Sequence, residues 1–462
     1  MYRPFWLLPA VAGISTAAWA QTLPTPAAAP MVIDFAADPV LSLGRRETSR
    51  ESFRALIAAA IDRHPALIEF EATEDEARAG IRQAQAQRRP SADLSVTSYR
   101  VISRDFSNDP ENILERSRPS RRTDALATVT QTLFDFGAGE SRVRAASARL
   151  RVAAADVENT ADRIALNAVA AWYDLFGYRA LIELTEAYRA GLDDLRGAIQ
   201  ERIRMGASAE GDIALVDSSI ARTDTRLAQF RRELANAEAR FTSFTGLAPP
   251  SELERAPAPA IPFADRDAVV VAAGETPAVR SAEAGAAAAR HDARAASADR
   301  LPSITGAVEA GRYGVFETDR DYDIRGRVTL RQRLGGGIQA RADQSSARAR
   351  SADARATRAR QESERDATIA WTDLHALEAQ QAALEAAYIA ARRSRDVLTA
   401  RFQANRGTLF DVSSSENAFF ESATAYIQGL TELDAARYVL LSRTGRLLST
   451  LRINADRLGR DN

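Results

Sequence analysis

The chain has 462 residues, 45% hydrophobic and 27% charged, with a formal net charge of -1. That balance excludes an intrinsically disordered chain, and it lacks the basic excess that a binder of nucleic-acid phosphates requires. Cys is absent, which removes disulfides, thiolate metal sites and a lipidated cysteine; Lys is absent too, so all 61 basic residues are Arg and neither a Walker-type phosphate loop nor a Schiff-base site can be built.

Residues 1–20 read as a signal peptide: Arg3 precedes an apolar run from Phe5 to Ile14, and Ala18-Trp19-Ala20 gives a small-x-small cleavage site. Beyond it no apolar run is long enough for a membrane-spanning helix, which leaves β-strands or surface association for any membrane contact. An extended Ala- and Pro-rich lead-in covers 21–47. Ser49 is placed to cap a helix through Arg63, Pro65 restarts a second helix, and Pro90 ends it.

After Pro90 the period changes from helical to alternating. Leu94, Val96 and Ser98 alternate with Asp93, Ser95 and Thr97, and Thr128, Thr130 and Thr132 alternate with Val129, Gln131 and Leu133, the pattern of a strand pair with one apolar face. Gly137 and Gly139 then suit a sharp change from strand to helix. A seven-residue column from Val143 through Val157, Ala171, Leu192 and Ile199 predicts one long packed helix, on the order of 100 Å by its rise. A turn at Gly206 and a return column of Ile213, Ile220, Leu227, Leu234 and Phe241 complete a hairpin.

The same order then repeats. Pro302, alternating strands from Ile304 and from Val328, Gly335, Gly336 and Gly337, a long Ala- and Arg-rich helix, a tip at Gly407 and a return column from Val412 to Leu440 follow in turn. The offset between halves is 212 at Pro90 and Pro302, 201 at Gln131 and Gln332, and 199 throughout the return columns. Constancy over four heptads indicates duplication. The predicted organisation is a first repeat at 48–246 (strand pair 91–134, long hairpin 138–246), a Pro-rich equatorial connection at 247–276, a second repeat at 277–451 (strand pair 303–334, hairpin 338–451) and a tail at 452–462.

This order, given twice, resembles the TolC family of outer-membrane channel proteins. The strings that carry the resemblance are VTQTLFDFG closing the first strand pair, GDIALVDSS at the first tip, and GTLFDVSSSENAFF at the second. It implies a mainly α fold with β: duplicated long helical hairpins forming an α-barrel tunnel, and four strands per chain contributing to a trimeric twelve-stranded β-barrel in outer-membrane lipid. It also implies a homotrimer that exports substrate with a periplasmic adaptor protein and an inner-membrane ABC exporter or proton-driven pump. Thr408, Leu409, Asp411, Glu416 and Asn417 resemble the second tip of type I protein secretion channels, while Asn405-Arg406-Gly407 departs from that pattern. The alternatives are a drug-efflux component, or a periplasmic coiled-coil protein without a pore.

Asp411 and Asp212 fall where the family's tip carboxylates sit, with Arg406 and Arg204 near enough to tether the tips, and Gly206, Gly407 and Phe410 in the tip turns. The same aspartates suit helix caps. In the last strand Arg327, Arg331 and Arg333 alternate with apolar residues, and a lipid-facing Arg at mid-bilayer costs about 2–4 kcal/mol, so they are expected to line the barrel lumen. Trp172 and Trp371, at equivalent places, are expected as packing anchors. The isolated His64, His291 and His375 offer no metal spacing, and no cofactor, enzymatic constellation or nucleic-acid partner is expected.

Overall fold

The computed structural model describes residues 23–453, apart from 28, 29, 31, 108, 207, 252, 319 and 320. The signal segment expected at 1–20 and most of the tail lie outside the described residues. Its elements divide into two compact units, and these cut across the two sequence repeats. One comprises residues up to Ala60 with Ala165–Ile261 and Ala370–Leu440; the other comprises Ile61–Ile164, Pro262–Ile369 and the residues from Leu441.

The first elements follow their caps. The Asp38 carboxylate accepts from Val40 N and Leu41 N to start α1 (Pro39–Ser42). Next, α2 (Arg50–Arg63) gives way to α3 (Pro65–Ala86), whose first turn is capped by His64 Nδ1 accepting from Ala66 N at 3.2 Å. Proline at the first helical position forfeits no bond, because that N–H has no partner in a helix.

Four antiparallel strands form one sheet in the order β1 (Ser91–Arg100), β2 (Arg121–Phe134), β3 (Ser303–Arg312) and β4 (Tyr322–Arg331). A short helix, α4 (Ile113–Ser117), stands in the connection between the first two. The β2–β3 pairing joins the two repeats, with a bulge between Thr132 and Phe134. Register makes the sheet two-faced, because directly opposed residues share a face. Leu94 opposes Ala127, which opposes Ala310, which opposes Ile324; Val129 and Val308, and Ile304 and Leu330, extend that apolar face. The other face aligns Asp93, Thr128, Glu309 and Arg325. Leu94, Val96, Val328 and Leu330 are all exposed in the chain, and ten-residue strands have the length that crosses a bilayer.

Arg327 and Arg331 lie on the polar face, opposite Ala307 and Ser303. Arg327 donates to Glu309 Oε1 at 2.6 Å, Arg122 to Asp124 Oδ1 at 2.7 Å, and Arg325 pairs with Asp323, so much of this face is charge-balanced. Arg333 lies beyond the end of β4. Of the tyrosines at the loop end, Tyr99 opposes Arg122 on the polar face and Tyr322 opposes Arg312 on the other.

The long helices are α5 (Ala138–Arg204) and α9 (Ile338–Gln403), and the return helices are α6 (Glu210–Thr245) and α10 (Leu409–Arg443). Between the repeats stand α7 (Arg266–Ala273) and α8 (Pro277–Ala298), and α11 (Leu447–Thr450) closes the described chain. None of the described helices is long and apolar enough to cross a membrane. Ahead of α5, Asp135 accepts from Gly137 N at 3.1 Å and Gly139 N at 2.6 Å, and Gly137 is left-handed (φ 82). In the second repeat the equivalent turn is made by Gly335, Gly336 and Gly337, all with positive φ. Pro90 and Pro302 each immediately precede a strand.

The heptad columns point inward: Val157, Ala171, Leu192 and Ile199 of α5 and Val412, Phe419, Tyr426 and Leu440 of α10 are buried. The irregular segment after α6 has no ladder to satisfy its carbonyls, so side chains do it. Trp172 Nε1 donates to Glu254 O at 3.0 Å, Tyr173 Oη to Ala256 O at 3.2 Å, and Tyr438 Oη to Pro257 O at 2.6 Å. Trp172 is therefore buried against this segment and against Phe53, with ring centroids 5.4 Å apart. Trp371 remains half-exposed with its ring edge on His375. The connection between repeats occurs once, so only one of the two tryptophans receives that cover.

Candidate functional site: the two hairpin tips

Both tips are built on one plan. After α5, Met205 N donates to Glu201 O at 3.1 Å and Gly206, left-handed at φ 72, donates to Ile203 O at 2.9 Å. After α9, Ala404 N donates to Ala400 O at 3.1 Å and Asn405, left-handed at φ 56, donates to Phe402 O at 3.0 Å. The structural counterpart of Gly206 is therefore Asn405, at the offset of 199 that the return columns already carry, and not the other tip glycine, Gly407. Asn is the side chain that best tolerates the left-handed region, which is how this tip dispenses with glycine there. Gly407 serves close approach instead: a Cβ on it would stand 3.3 Å from Phe402 N.

This assignment makes a direct prediction. Asn405→Ala places an ordinary side chain at positive φ and is expected to cost about 1 kcal/mol, while Asn405→Gly is expected to be neutral within about 0.5 kcal/mol. Denaturant midpoints of the two variants check it; equal losses would show that the Asn side chain, not the backbone, is what the site needs.

The two tip aspartates occupy the same helical position. Asp212 Oδ2 accepts from Ala209 N at 3.2 Å, and Asp411 Oδ2 accepts from Thr408 N at 3.2 Å and from Thr408 Oγ1 at 2.7 Å. Asp411 N in turn donates to Thr408 Oγ1 at 3.2 Å, so the second tip has a reciprocal capping box and the first has half of one. The Thr408 hydroxyl, and after it the Thr408 N–H, hold the Asp411 carboxyl below its ordinary range. In both aspartates the bonded oxygen is Oδ2, and Oδ1 makes no hydrogen bond among the described residues.

Beneath these caps Leu409 packs with Ile199 and Val216, joining the two hairpins through apolar contact. The polar link between the tips is Arg202, which donates to Asn405 Oδ1 at 3.1 Å and lays its guanidinium 4.7 Å from the Phe402 ring centre. Arg202 was not among the tip residues expected from the sequence. Its signal was its place three residues after the buried Ile199, on the edge of the inward face. Arg204 instead pairs with Glu201 on its own helix, and Arg406 is exposed and forms no ion pair among the described residues. Phe410 is 70% exposed, because Leu409 beside it takes the inward direction, whereas Phe419 and Phe420 are buried with Tyr388 and Tyr188.

Behind the tip, the lead-in is held by the second hairpin. Tyr388 Oη donates to both Asp38 oxygens at 2.9 Å, Arg392 pairs with the same carboxylate, and Arg395 donates to Pro24 O at 2.9 Å. Glu416 lies 3.6 Å from Arg395; burial, with Asp396 nearby, raises its carboxyl above the ordinary range against the pull of Arg395.

The family model described as outer membrane efflux protein matches residues 56–247. A curated relative, outer membrane efflux protein BepC of Brucella suis biovar 1 (strain 1330), is 24% identical over 336 residues, 72% of either chain. Among solved structures, the outer membrane protein VceC of Vibrio cholerae aligns with a TM-score of 0.77 at 18% identity, over 86% of this chain and 96% of that one. The CmeC outer membrane channel of Campylobacter jejuni aligns at 0.74 and 13% identity, over 86% of each chain. Family match, curated relative and shared fold point the same way: the chain has the fold of the solved outer-membrane channels and, over residues 56–247, is similar to outer membrane efflux proteins.

Proposed function

We propose that three copies of this chain close their sheets edge to edge into a twelve-stranded barrel, with the hairpins forming a tunnel, and that the assembly is a passive exit duct. The observation that carries this reading is a two-faced sheet whose outer strands, β1 and β4, each have one partner. Four strands cannot close on themselves, and an open edge has no partner for its N–H and C=O groups in lipid. A non-enzymatic channel draws its energy elsewhere, from an inner-membrane transporter joined to it by a periplasmic adaptor.

Efflux of small molecules is the first reading of the cargo, supported by the descriptions of the matched family and of the Brucella relative. The second, protein export by a type I secretion system with an ABC exporter, is supported by the string at the second tip. Within the chain Thr408 and Asp411 of that string form a cap, Leu409 is core and Glu416 neighbours Arg395, roles that serve the fold under either cargo. Deleting the gene is expected to sensitise cells to amphiphilic drugs and to leave the set of secreted proteins unchanged. Loss of a secreted protein with unchanged drug sensitivity would reverse the order.

Asp411 and Asp212 then supply six carboxylates at the tunnel entrance of a trimer, a ring that attracts multivalent cations. Asp411→Ala is expected to relieve cation block of single-channel conductance, whereas Thr408→Ala, which weakens the cap but keeps the charge, leaves block in place. Because the Asp411 carboxyl is held low, the cap's contribution to stability is present above the unfolded value and is lost only as pH falls through the lowered one. Block should accordingly persist as pH falls to about 4, the ordinary carboxylate range, and disappear below it. Equal block in wild type and Asp411→Ala would reduce Asp411 to a helix cap.

A further inference from the structure

At the foot of the sheet, where β4 gives way to α9, lies a cavity of about 580 Å³ that the duct reading leaves without a role. Five arginines line it, Arg142, Arg331, Arg333, Arg341 and Arg348, against two carboxylates, Asp135 and Asp299. Both carboxylates are engaged: Asp135 binds Gly137 N and Gly139 N, and Asp299 takes Arg142 at 2.6 Å through each oxygen. The side chains of Arg331, Arg333, Arg341 and Arg348 form no ion pair or hydrogen bond among the described residues. Elsewhere in the chain arginines commonly meet a carboxylate, as Arg327 meets Glu309 one strand away and Arg290 meets Asp353 on α9.

Comparison of the repeats shows what is missing. At the strand-to-helix turn of the first repeat, Asp135 supplies a carboxylate and Glu140 stands in the first turn of α5. The second repeat has Gly335, Gly336 and Gly337 there and no acidic residue in the first turn of α9. Four guanidinium groups thus line one concavity from a strand end, a turn and two turns of a helix, and among the described residues its two carboxylates are engaged elsewhere. Planar guanidinium forks suit the oxygens of a phosphate better than those of smaller anions, and several can share one group.

We propose that this cavity is a phosphate-binding site, filled by the phosphate of a phospholipid headgroup or of a phosphate-bearing solute in the duct. Its depth, where membrane-length strands end, matches a headgroup layer. Its position beside Arg331 and Ser303, on the polar face of the sheet, matches a solute. The site is independent of whether the cargo is a small molecule or a protein.

The test uses the purified full-length protein in two arms. In the first, inorganic phosphate is titrated against chloride at equal ionic strength and the thermal midpoint is followed. In the second, the protein is passed through vesicles of phosphatidylcholine with phosphatidylglycerol, re-extracted, and the retained phosphatidylglycerol measured by mass spectrometry. The variant combines Arg333→Gln, Arg341→Gln and Arg348→Gln; Arg358→Gln, also on α9 but outside the cavity, is the control. Wild type and control should bind at least about tenfold more tightly than the triple variant in one arm. A phosphate-dependent midpoint identifies a solute site, and retention of phosphatidylglycerol alone identifies a headgroup site. Absence of any variant-dependent difference in both arms overturns the proposal. Should the triple variant fail to assemble, Arg341→Gln alone enters the same arms, with partial loss expected and no loss counting against the site.

Discussion

Asp434→Ala is expected to cost the fold about 3–5 kcal/mol, the loss that follows when one partner of a buried ion pair is removed and the other keeps its charge. Arg255 donates from Nε to Asp434 Oδ2 at 2.5 Å and from Nη2 to Asp434 Oδ1 at 2.7 Å, a bidentate pair with the Asp434 side chain fully buried and that of Arg255 8% exposed. The Arg255 guanidinium also reaches Gly44 O, and Glu47 lies 3.6 Å away, so a single side chain ties the lead-in, the Pro-rich connection and α10 together. Removing Asp434 strands that charge under the connection. The double replacement Arg255→Met with Asp434→Leu removes both charges and is expected to recover most of the loss. Heat resistance of the assembled protein, read as the temperature at which its slow electrophoretic band disappears, measures both. A single replacement as stable as wild type would mean that water reaches Arg255 and the pair is not a closed one.

Leu94→Arg is expected to block barrel assembly, whereas Ser95→Arg beside it is expected to be tolerated. Leu94 stands mid-strand on the apolar face, opposite Ala127, and is 79% exposed in the chain, as a lipid-facing residue must be. An Arg near mid-bilayer costs about 2–4 kcal/mol, and a trimer incurs it three times. Ser95 opposes Leu126 on the other face, in the row next to Asp93, Glu309 and Arg325, where a further charge stays hydrated. Membrane-fraction yield of folded protein separates the two variants. Equal yields would mean that the apolar face of this sheet does not meet lipid.

The legible parts of this protein are those written in short periods. Val157, Ala171 and Ile199 announce a buried seam at sevens, and Leu94 with Val96 a strand face at twos, because side-chain direction repeats with local backbone geometry. The tip site was legible in part. Asp212 and Asp411 stand at one helical position because the offset of 199 already aligned them, and the same offset places Asn405, not Gly407, at the position of Gly206. Arg202 escaped notice because an arginine at the end of an Arg-rich helix carries no mark of its partner, and that partner, Asn405, lies 203 residues on.

By itself, then, the sequence determined two repeats, each with a strand pair, a long helix, a tip and a return helix, together with one apolar face for every strand. Local stereochemistry and hydrophobic burial specify these over a few turns or a few strand residues. Only the tertiary structure decided what lies between distant segments. It paired β2 with β3 across the repeat boundary, closed Arg255 on Asp434, covered Trp172 but not Trp371, and left four arginines at one cavity without an ion pair among the described residues. Each depends on which chain segments arrive at the same place, and no residue's periodicity encodes the identity of a neighbour two hundred positions away.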